Sequence, residues 1–278
     1  MDVPTTQYPA KILLFGEYSI IHGSDALVLP YHKLFGRWQV SHAQPLPQKD
    51  LSDFLNYVSS LSGCNLSKVK RIKDEKWSFD STIPTGYGIG SSGALSAAIY
   101  ELVFDRDKNL IETKDKLAEI ESFFHGSSSG MDPLASHLRK PIHICDGEVL
   151  ALSEFKSPTD IYIYDSHMIR KSKPLIEYYK MMREADLSFL ATSKALAKFN
   201  ARIIREIINT QNYTSSFKEI SHIQFHHFDK MIPTEVKSIW QKGLESDTYY
   251  FKLCGAGGGG FFLVHTNDKQ VIDGLDSI

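Results

Sequence analysis

The sequence predicts an α+β protein with two domains, and three observations indicate this fold class. Strand and helix patterns are mixed in the first half of the 278-residue chain. The second half has four consecutive helical patterns enclosed by strand patterns. The composition changes at the segment Lys-Ser-Pro-Thr-Asp, residues 156–160. We therefore predict one domain over residues 1–157 and a second over residues 158–278.

The first domain begins with strand patterns at residues 11–15, 26–31 and 36–42. Pro45 and Pro47 then predict a turn, and apolar residues at helical spacing predict an amphipathic helix over 50–62. The remaining expected elements are a strand around Trp77 and Phe79, a helix beginning at the serines 91 and 92, a helix over 113–124, and a hairpin over 141–152 with its turn at Asp146-Gly147.

The second domain is predicted to begin with the strand Ile-Tyr-Ile-Tyr-Asp at residues 161–165. Strands at 248–254 and 261–265 flank a glycine-rich loop, and a last helix is expected over 267–277. Four helices separate the first strand from the other two, at residues 173–190, 193–210, 214–229 and 234–244.

The composition excludes several classes of protein. A formal net charge of −2 lacks the excess of basic residues that nucleic-acid binding requires. No run of about 18 apolar residues could span a bilayer, and we expect no signal peptide. Three widely spaced cysteines suit a reducing compartment, so a cytoplasmic location is predicted. We expect no nucleic-acid or membrane partner, and a homodimer is compatible with the sequence.

Half of the 18 glycines lie in two short loops, and the first loop precedes a helix. Such a loop suits a phosphate group, because backbone N–H groups can approach it closely and the helix dipole favours an anion. The P-loop pattern is absent, and a GxGxxG dinucleotide site is rejected because Pro84 interrupts the preceding strand. The glycines and serines of this loop are Gly86, Gly88, Gly90, Ser91, Ser92 and Gly93.

The second loop contains Gly255 and Gly257–Gly260 between two apolar strands. This backbone could wrap an anion or let two chain segments nearly touch. A flexible hairpin is the alternative. We favour close approach to a ligand, because a mobile linker is unexpected between such apolar strands.

Three charged residues elsewhere are candidates for chemistry. Lys11 opens an apolar strand, so it needs a partner if it is buried, or it lies at the strand edge in solvent. Glu121 lies near a helix C-terminus, where the dipole disfavours an acid, which suggests a cation partner, although a plain surface glutamate is the commoner case. Asp132 follows a Ser/Gly turn and is either a functional carboxylate or an N-cap.

Taken together and in order, these segments resemble the GHMP kinase superfamily. Residues 9–23 (PAKILLFGEYSIIHG) resemble its first motif, residues 83–98 its second motif, the ATP phosphate loop, and residues 252–263 its third. Within the superfamily the sequence is most similar to the mevalonate kinases. Glu121 and the run His-Gly-Ser-Ser-Ser-Gly-Met-Asp at 125–132 resemble the corresponding segment of those enzymes.

The resemblance implies an N-terminal α/β domain like ribosomal protein S5 domain 2 and a ferredoxin-like C-terminal α+β domain. It also implies ATP- and Mg²⁺-dependent phosphorylation of a small-molecule alcohol, most simply mevalonate in isoprenoid precursor synthesis. Asp132 and Lys11 would be catalytic, and Ser92 and Glu121 would hold Mg²⁺. The phosphates of ATP would be bound by Gly86, Gly88, Ile89, Gly90, Ser91, Ser92 and Gly93. The acceptor would contact Glu17, His22, Ser129, Gly257 and Gly258.

Several alternatives stay open at this point. Another enzyme of the superfamily is one, namely a phosphomevalonate kinase, a diphosphomevalonate decarboxylase or a sugar kinase. A non-catalytic ligand sensor of the same fold is another. The pair His222 and His226 is interpreted as structural rather than metal-binding, and the basic turn at Arg170 and Lys171 as a solvated face or an attraction for a substrate carboxylate.

Overall fold

The computed structural model describes residues 3–40, 48–105 and 109–278, so the turn predicted at Pro45 and Pro47 lies outside the described residues. Contacts within the chain divide it into two units. Unit 1 comprises residues 1–11, 30–84 and 89–140, and unit 2 comprises residues 12–29, 85–88 and 141–278. The division predicted after residue 157 was drawn from composition and stays a prediction.

Two strands contribute residues to both units, namely β1 (Tyr8–Phe15) and β2 (Ala26–Val40). The other elements of unit 1 are α1 (Gln48–Ser60), α2 (Leu66–Asp74), β3 (Trp77–Ser81), α3 (Ser91–Val103), α4 (Leu110–His125) and α5 (Met131–Leu138). β3 pairs antiparallel with the second half of β2, from Gly36 opposite Ser81 to Val40 opposite Trp77. The small side chains of α3, Ala94, Ala97 and Ala98 among them, are fully buried and allow α4 and α5 to pack closely against it.

Unit 2 has one hairpin and one four-stranded sheet with helices. Its elements are β4 (Ile142–Cys145), β5 (Glu148–Ala151), β6 (Ile161–Asp165), α6 (Ser172–Ala185), α7 (Leu187–Ile208), α8 (Thr214–His227), α9 (Thr234–Ser246), β7 (Tyr250–Leu253), β8 (Phe261–His265) and β9 (Leu275–Ser277). The antiparallel sheet has the order β7-β8-β6-β9. In chain order this is 2-3-1-4, the ferredoxin-like arrangement that the resemblance implied.

The other sheet has the order β1-β2-β4-β5, with β3 also on β2. β4 pairs antiparallel with the first residues of β2, Ala26 opposite Ile144 and Val28 opposite Ile142. The predicted hairpin between β4 and β5 is confirmed. Both turn residues, Asp146 and Gly147, have positive φ, as a two-residue type I′ turn requires.

Most predicted helices and strands are confirmed, but the last helix is wrong. Residues 267–277 contain a single 3-10 turn, Lys269–Val271, followed by β9. Gly274 has a φ of 81°, which ends any helix, and β9 then pairs with the edge of β6. The structure also contains α2, which was not predicted. No helix in the described ranges has the length and apolar character needed to cross a lipid bilayer.

Candidate functional site

Lys11 and Asp132 form an ion pair in unit 1. Lys11 Nζ lies 3.1 Å from Asp132 Oδ1, and the side chains are 11% and 37% exposed. Lys11 is thus mostly withdrawn from solvent and has a partner, so the interpretation as a solvent-exposed residue at the strand edge is wrong. The pair places a positive charge beside a carboxylate that stays partly open to solvent.

The phosphate-loop residues of unit 1 are fixed to β1 at the start of α3. The Lys11 backbone N–H donates to Ile89 O at 2.8 Å, and Gly90 follows as the N-cap with a φ of 85°. A Cβ at Gly90 would lie 3.0 Å from Lys11 Cγ, a tight contact, and the positive φ of this residue favours glycine. The first N–H groups of a helix have no partner within the helix, and Gly90 offers no side chain to cap them. This helix end, with Lys11 beside it, can therefore bind an anion.

Gly93 brings α3 and α5 together at Asp132. A Cβ at Gly93 would lie 2.9 Å from both Asp132 C and Pro133 N, closer than real Cβ contacts. Gly93 lies inside the helix, so its requirement is space rather than an unusual backbone conformation. Because Gly93 has no side chain, α5 can lie this close to α3, and this spacing sets the position of Asp132.

Glu121 is the centre of a hydrogen-bond network in the last turn of α4. The Ser92 hydroxyl donates to Glu121 Oε1 at 2.9 Å, and the Ser128 hydroxyl donates to Oε2. His125 Nε2 lies 3.0 Å from the same Ser92 hydroxyl. The structure therefore brings together Ser92 and Glu121, which the sequence resemblance implied as metal ligands, and adds Ser128 and His125, which it did not.

The surroundings of Glu121 favour a bound cation. The side chain is 4% exposed. Burial, and then the negative charge of Asp132, raise the pKa of Glu121 to about 7, although hydrogen bonds from Ser128 and Ser92 and the charge of Lys11 act in the opposite direction. A buried carboxylate with a second carboxylate nearby and a hydroxyl beside it offers the hard oxygen donors that Mg²⁺ prefers. The residues present thus fit this ion.

The turn before α5 is held by two serines. Ser128 Oγ accepts from the N–H of Gly130 at 2.9 Å, and Ser129 Oγ accepts from the N–H of Met131 at 3.4 Å. Gly130 is the N-cap of α5 with a φ of 73°. Asp132 therefore lies in the first turn of a helix, where the dipole stabilises a carboxylate. The acceptor contact expected of Ser129 stays a prediction.

The remaining part of the first glycine loop, residues 85–88, belongs to unit 2 and is bound by Arg170. The Arg170 guanidinium donates to Gly88 O at 3.1 Å and to Cys254 O at 2.7 Å, and its backbone N–H donates to Gly86 O. Arg170 is buried, so the prediction of a solvated face is wrong for this residue, and its guanidinium bonds attach one glycine loop to the other within unit 2.

The second glycine loop packs against its own chain. The N–H groups of Gly258 and Gly260 donate at 2.7 Å to Met231 O and Met168 O, respectively. A Cβ at Gly259 would lie 2.7 Å from Met168 O. The glycines thus allow close approach of chain segments, one of the two possibilities that the sequence left open. The acceptor contacts expected of Gly257 and Gly258 stay predictions.

Glu17 and His22, the other expected acceptor contacts, have defined partners in unit 2. Glu17 is fully buried and pairs with Lys252, which is also fully buried. Arg183 Nη1 donates to His22 Nδ1 at 3.2 Å, and burial together with the charges of Arg183 and Lys180 lowers the pKa of His22. Lys252 was missed by the sequence analysis, although a lysine inside the apolar run Tyr-Tyr-Phe-Lys-Leu is the same signal that singled out Lys11.

Unit 2 also contains a cavity of about 480 Å³ beside the second glycine loop. Its size is in the range of small-molecule sites. Its charged lining residues are Lys171, Lys230 and Glu235. Apolar side chains, Met168, Leu175 and Ile232 among them, line the rest, and Gly258 is part of its wall. Lys171 thus lines a cavity, whereas the guanidinium of its neighbour Arg170 binds backbone carbonyls. The two lysines outnumber the one carboxylate, so the lining can receive a small molecule with an anionic group.

Comparisons with known proteins agree with the resemblance. Residues 55–140 match the family of the GHMP kinases N terminal domain. A mevalonate kinase of Thermococcus sibiricus is 24% identical, over 94% of this chain and 89% of that protein. The Streptococcus pneumoniae phosphomevalonate kinase superposes with a TM-score of 0.69 at 13% identity, over 98% of this chain and 94% of that one. The L. major mevalonate kinase in complex with R-mevalonate gives 0.65 at 15%, over 97% and 89%. The predicted α+β fold class and the resemblance to the GHMP kinases are confirmed.

The raised pKa of Glu121 predicts how stability depends on pH. The carboxyl is protonated more readily in the folded chain than in the unfolded chain, where its ordinary value is 4.5. Without Mg²⁺, the free energy of unfolding should therefore fall, relative to a Glu121→Gln variant, as the pH rises from that value through about 7. Denaturant titrations of both proteins at about pH 5 and about pH 8 measure this difference.

Mg²⁺ provides the control for this experiment. At the higher pH it should stabilise the wild type more than Glu121→Gln, because only the wild type has a carboxylate at position 121. Parallel pH dependence of the two proteins, or equal stabilisation by Mg²⁺, would contradict the assignment of Glu121.

Proposed function

We propose that this chain, which carries the N-terminal domain of the GHMP kinases, transfers the γ-phosphoryl group of ATP to the hydroxyl of mevalonate. The products are 5-phosphomevalonate and ADP. The observation that carries the proposal is the ion pair of Lys11 with Asp132 beside the N-terminus of α3. A carboxylate that can accept a proton, a cation and an anion-binding helix end are the groups that phosphoryl transfer to an alcohol requires.

Lys11 and Asp132 would act on the two ends of the bond that forms. Asp132 orients the acceptor hydroxyl and takes its proton as the oxygen attacks the γ-phosphorus. The bond from that phosphorus to the bridging oxygen breaks, and ADP leaves with the electron pair. Lys11 stabilises the developing alkoxide and the charge on the transferred group. The protein contributes mainly by position and charge.

The nucleotide phosphates would be bound at the beginning of α3. The backbone N–H groups of its first turn would be the hydrogen-bond donors. Gly88, Ile89 and Gly90 come directly before this turn, and the two glycines leave room for the phosphates. Ser92 and Glu121 would hold Mg²⁺, which supplies charge neutralisation on the phosphates when bound. Their hydrogen bond and the burial of Glu121 support this role.

The acceptor contacts expected at Glu17, His22, Ser129, Gly257 and Gly258 belong to this proposal. For Gly258 alone, support comes from the unit 2 cavity that it lines, since Lys171 and Lys230 suit the carboxylate of mevalonate and the apolar lining suits its methyl group. We place the reaction in the cytoplasm, in keeping with the free thiols of all three cysteines.

An acceptor panel tests the proposal. We expect ADP release with ATP, Mg²⁺ and mevalonate, and far less with phosphomevalonate, homoserine or galactose. Lys171→Gln combined with Lys230→Gln should raise KM for mevalonate more than KM for ATP, whereas Lys242→Gln, on the exposed face of α9, should change neither. ADP release with another acceptor only, carbon dioxide release from diphosphomevalonate, or mevalonate binding without turnover would each contradict it.

The ion pair gives a sharper test of mechanism. Asp132→Asn and Lys11→Met should each lower kcat by at least about 100-fold, because each removes a group that acts on the reacting atoms. ATP binding, measured by calorimetry, should change less. Asp115→Asn, an exposed carboxylate on α4, is the matched control and should retain full turnover. Near-normal kcat in a folded Asp132→Asn protein would contradict the assignment of Asp132 as the group that takes the hydroxyl proton.

Gly93→Ala tests whether the spacing of α3 and α5 sets the position of Asp132. The added Cβ meets backbone atoms, so α5 must shift, and kcat should fall by roughly 10-fold or more with a stability loss of about 1–3 kcal/mol. Gly274→Ala is the control, because its φ of 81° costs stability in open space away from any proposed site residue. Equal kcat losses in the two variants would show that Gly93 acts only through stability.

A further inference from the structure

The register of β2 with β4 brings three potential metal ligands onto one face of unit 2. Ala26 lies opposite Ile144 and Leu27 opposite His143, so Asp25, one residue before β2, is opposite Cys145. His143 and Cys145 are two residues apart and point to the same side of the strand. One ligand atom from each of Asp25, His143 and Cys145 lies within 4.8 Å of the others.

The distances suit a shared ion better than a hydrogen bond. His143 Nε2 and Asp25 Oδ2 are 3.8 Å apart, too far to share a proton directly. Two ligands at about 2.0–2.2 Å from one tetrahedral zinc ion would be separated by roughly 3.3–3.6 Å. A small inward movement of either side chain therefore completes such a site.

The imidazole of His143 has a buried nitrogen atom that makes no hydrogen bond to the described residues. This atom is Nε2, and the side chain is only 12% exposed. A buried polar atom left without a partner costs about 1–3 kcal/mol. A metal ion between His143 and Asp25 would remove this cost.

The chemistry of the three donors identifies the kind of ion. A nitrogen, a sulfur and a carboxylate oxygen form the mixed set that zinc accepts, whereas Mg²⁺ takes oxygen ligands. The Cys145 thiol donates a hydrogen bond to Asp146 Oδ2 at 3.6 Å, which places a second carboxylate beside the cluster. Three protein ligands leave a fourth position for water or for Asp146.

We propose that Asp25, His143 and Cys145 of unit 2 form a binding site for a zinc ion. None of these three residues is assigned to phosphoryl transfer. The ion would link the beginning of β2 to the end of β4, next to the β4–β5 turn. Its effect would be structural, because it ties two strands together across one face of the sheet.

Cobalt substitution tests this site on the full-length protein under reducing conditions and without nucleotide. We expect one equivalent of Co²⁺ to bind with a thiolate-to-cobalt charge-transfer band. Cys145→Ser should abolish the band, and His143→Gln should weaken Co²⁺ binding by more than roughly 10-fold while the band stays detectable at high Co²⁺. Zn²⁺ should displace Co²⁺ and raise the Tm of the wild type but of neither variant.

Two control variants separate this site from other donors. Cys64→Ser removes a different half-buried thiol, and His222→Gln removes one member of the stacked His222–His226 pair on α8. Both should bind Co²⁺ like the wild type, and Cys145→Ser should keep full kinase activity. No charge-transfer band in the wild type, a band that survives in Cys145→Ser, or a band lost in Cys64→Ser would overturn the proposal. The outcome does not depend on the acceptor of the kinase reaction.

Discussion

The close packing of α3 against α5 at Gly93 is the constraint on which the site of unit 1 depends. It brings two helix N-termini together, one preceded by Gly90 and the other by Gly130. Asp132 lies in the first turn of α5. Its carboxylate, which could take a proton, is therefore next to the N-terminus of α3, which could bind phosphate. A larger residue at position 93 would separate them.

The charges around this point are unequal, and the imbalance has a chemical meaning. Lys11 is the cation of the ion pair with Asp132, while Glu121 is buried nearby and receives hydrogen bonds from hydroxyl groups. The negative charge of Asp132 is one of the reasons for the raised pKa of Glu121. One lysine thus faces two carboxyl groups, whose oxygen atoms are donors of the kind that could hold a divalent cation. The net charge of the whole chain, −2, reveals nothing of this.

The sequence was sufficient for features that depend on local patterns. Helix and strand periodicity predicted most elements, and the Asp146-Gly147 turn followed from the backbone that it requires. It failed at the C-terminus, where pairing with β6 decides the structure of residues 275–277. A strand of three residues has no periodicity to detect, so only its partner strand reveals it.

Contacts distant in sequence explain what was missed in the site. Ser92 and Glu121 are 29 positions apart, and their hydrogen bond could be inferred only through resemblance. The Ser128 hydroxyl donates to Glu121 and also accepts from the Gly130 N–H. The spacing of residues in the sequence does not predict this pair of hydrogen bonds. The sequence pattern placed Arg170 in a basic surface turn, but its guanidinium donates hydrogen bonds to backbone carbonyls. Side-chain chemistry limits what such residues can do, and the fold selects among those options.

The first and third motifs are physically connected inside unit 2, and this changes how Glu17 should be understood. Glu17 follows β1 and pairs with Lys252 of β7, and both side chains are fully buried. The next residue, Tyr18, has a φ of 59° and donates its hydroxyl to Ala256 O at 2.6 Å, inside the second glycine loop. A buried carboxylate bound by a lysine can orient this loop without touching a substrate. Breaking its pair with Lys252 would leave a buried charge and disturb both motifs together.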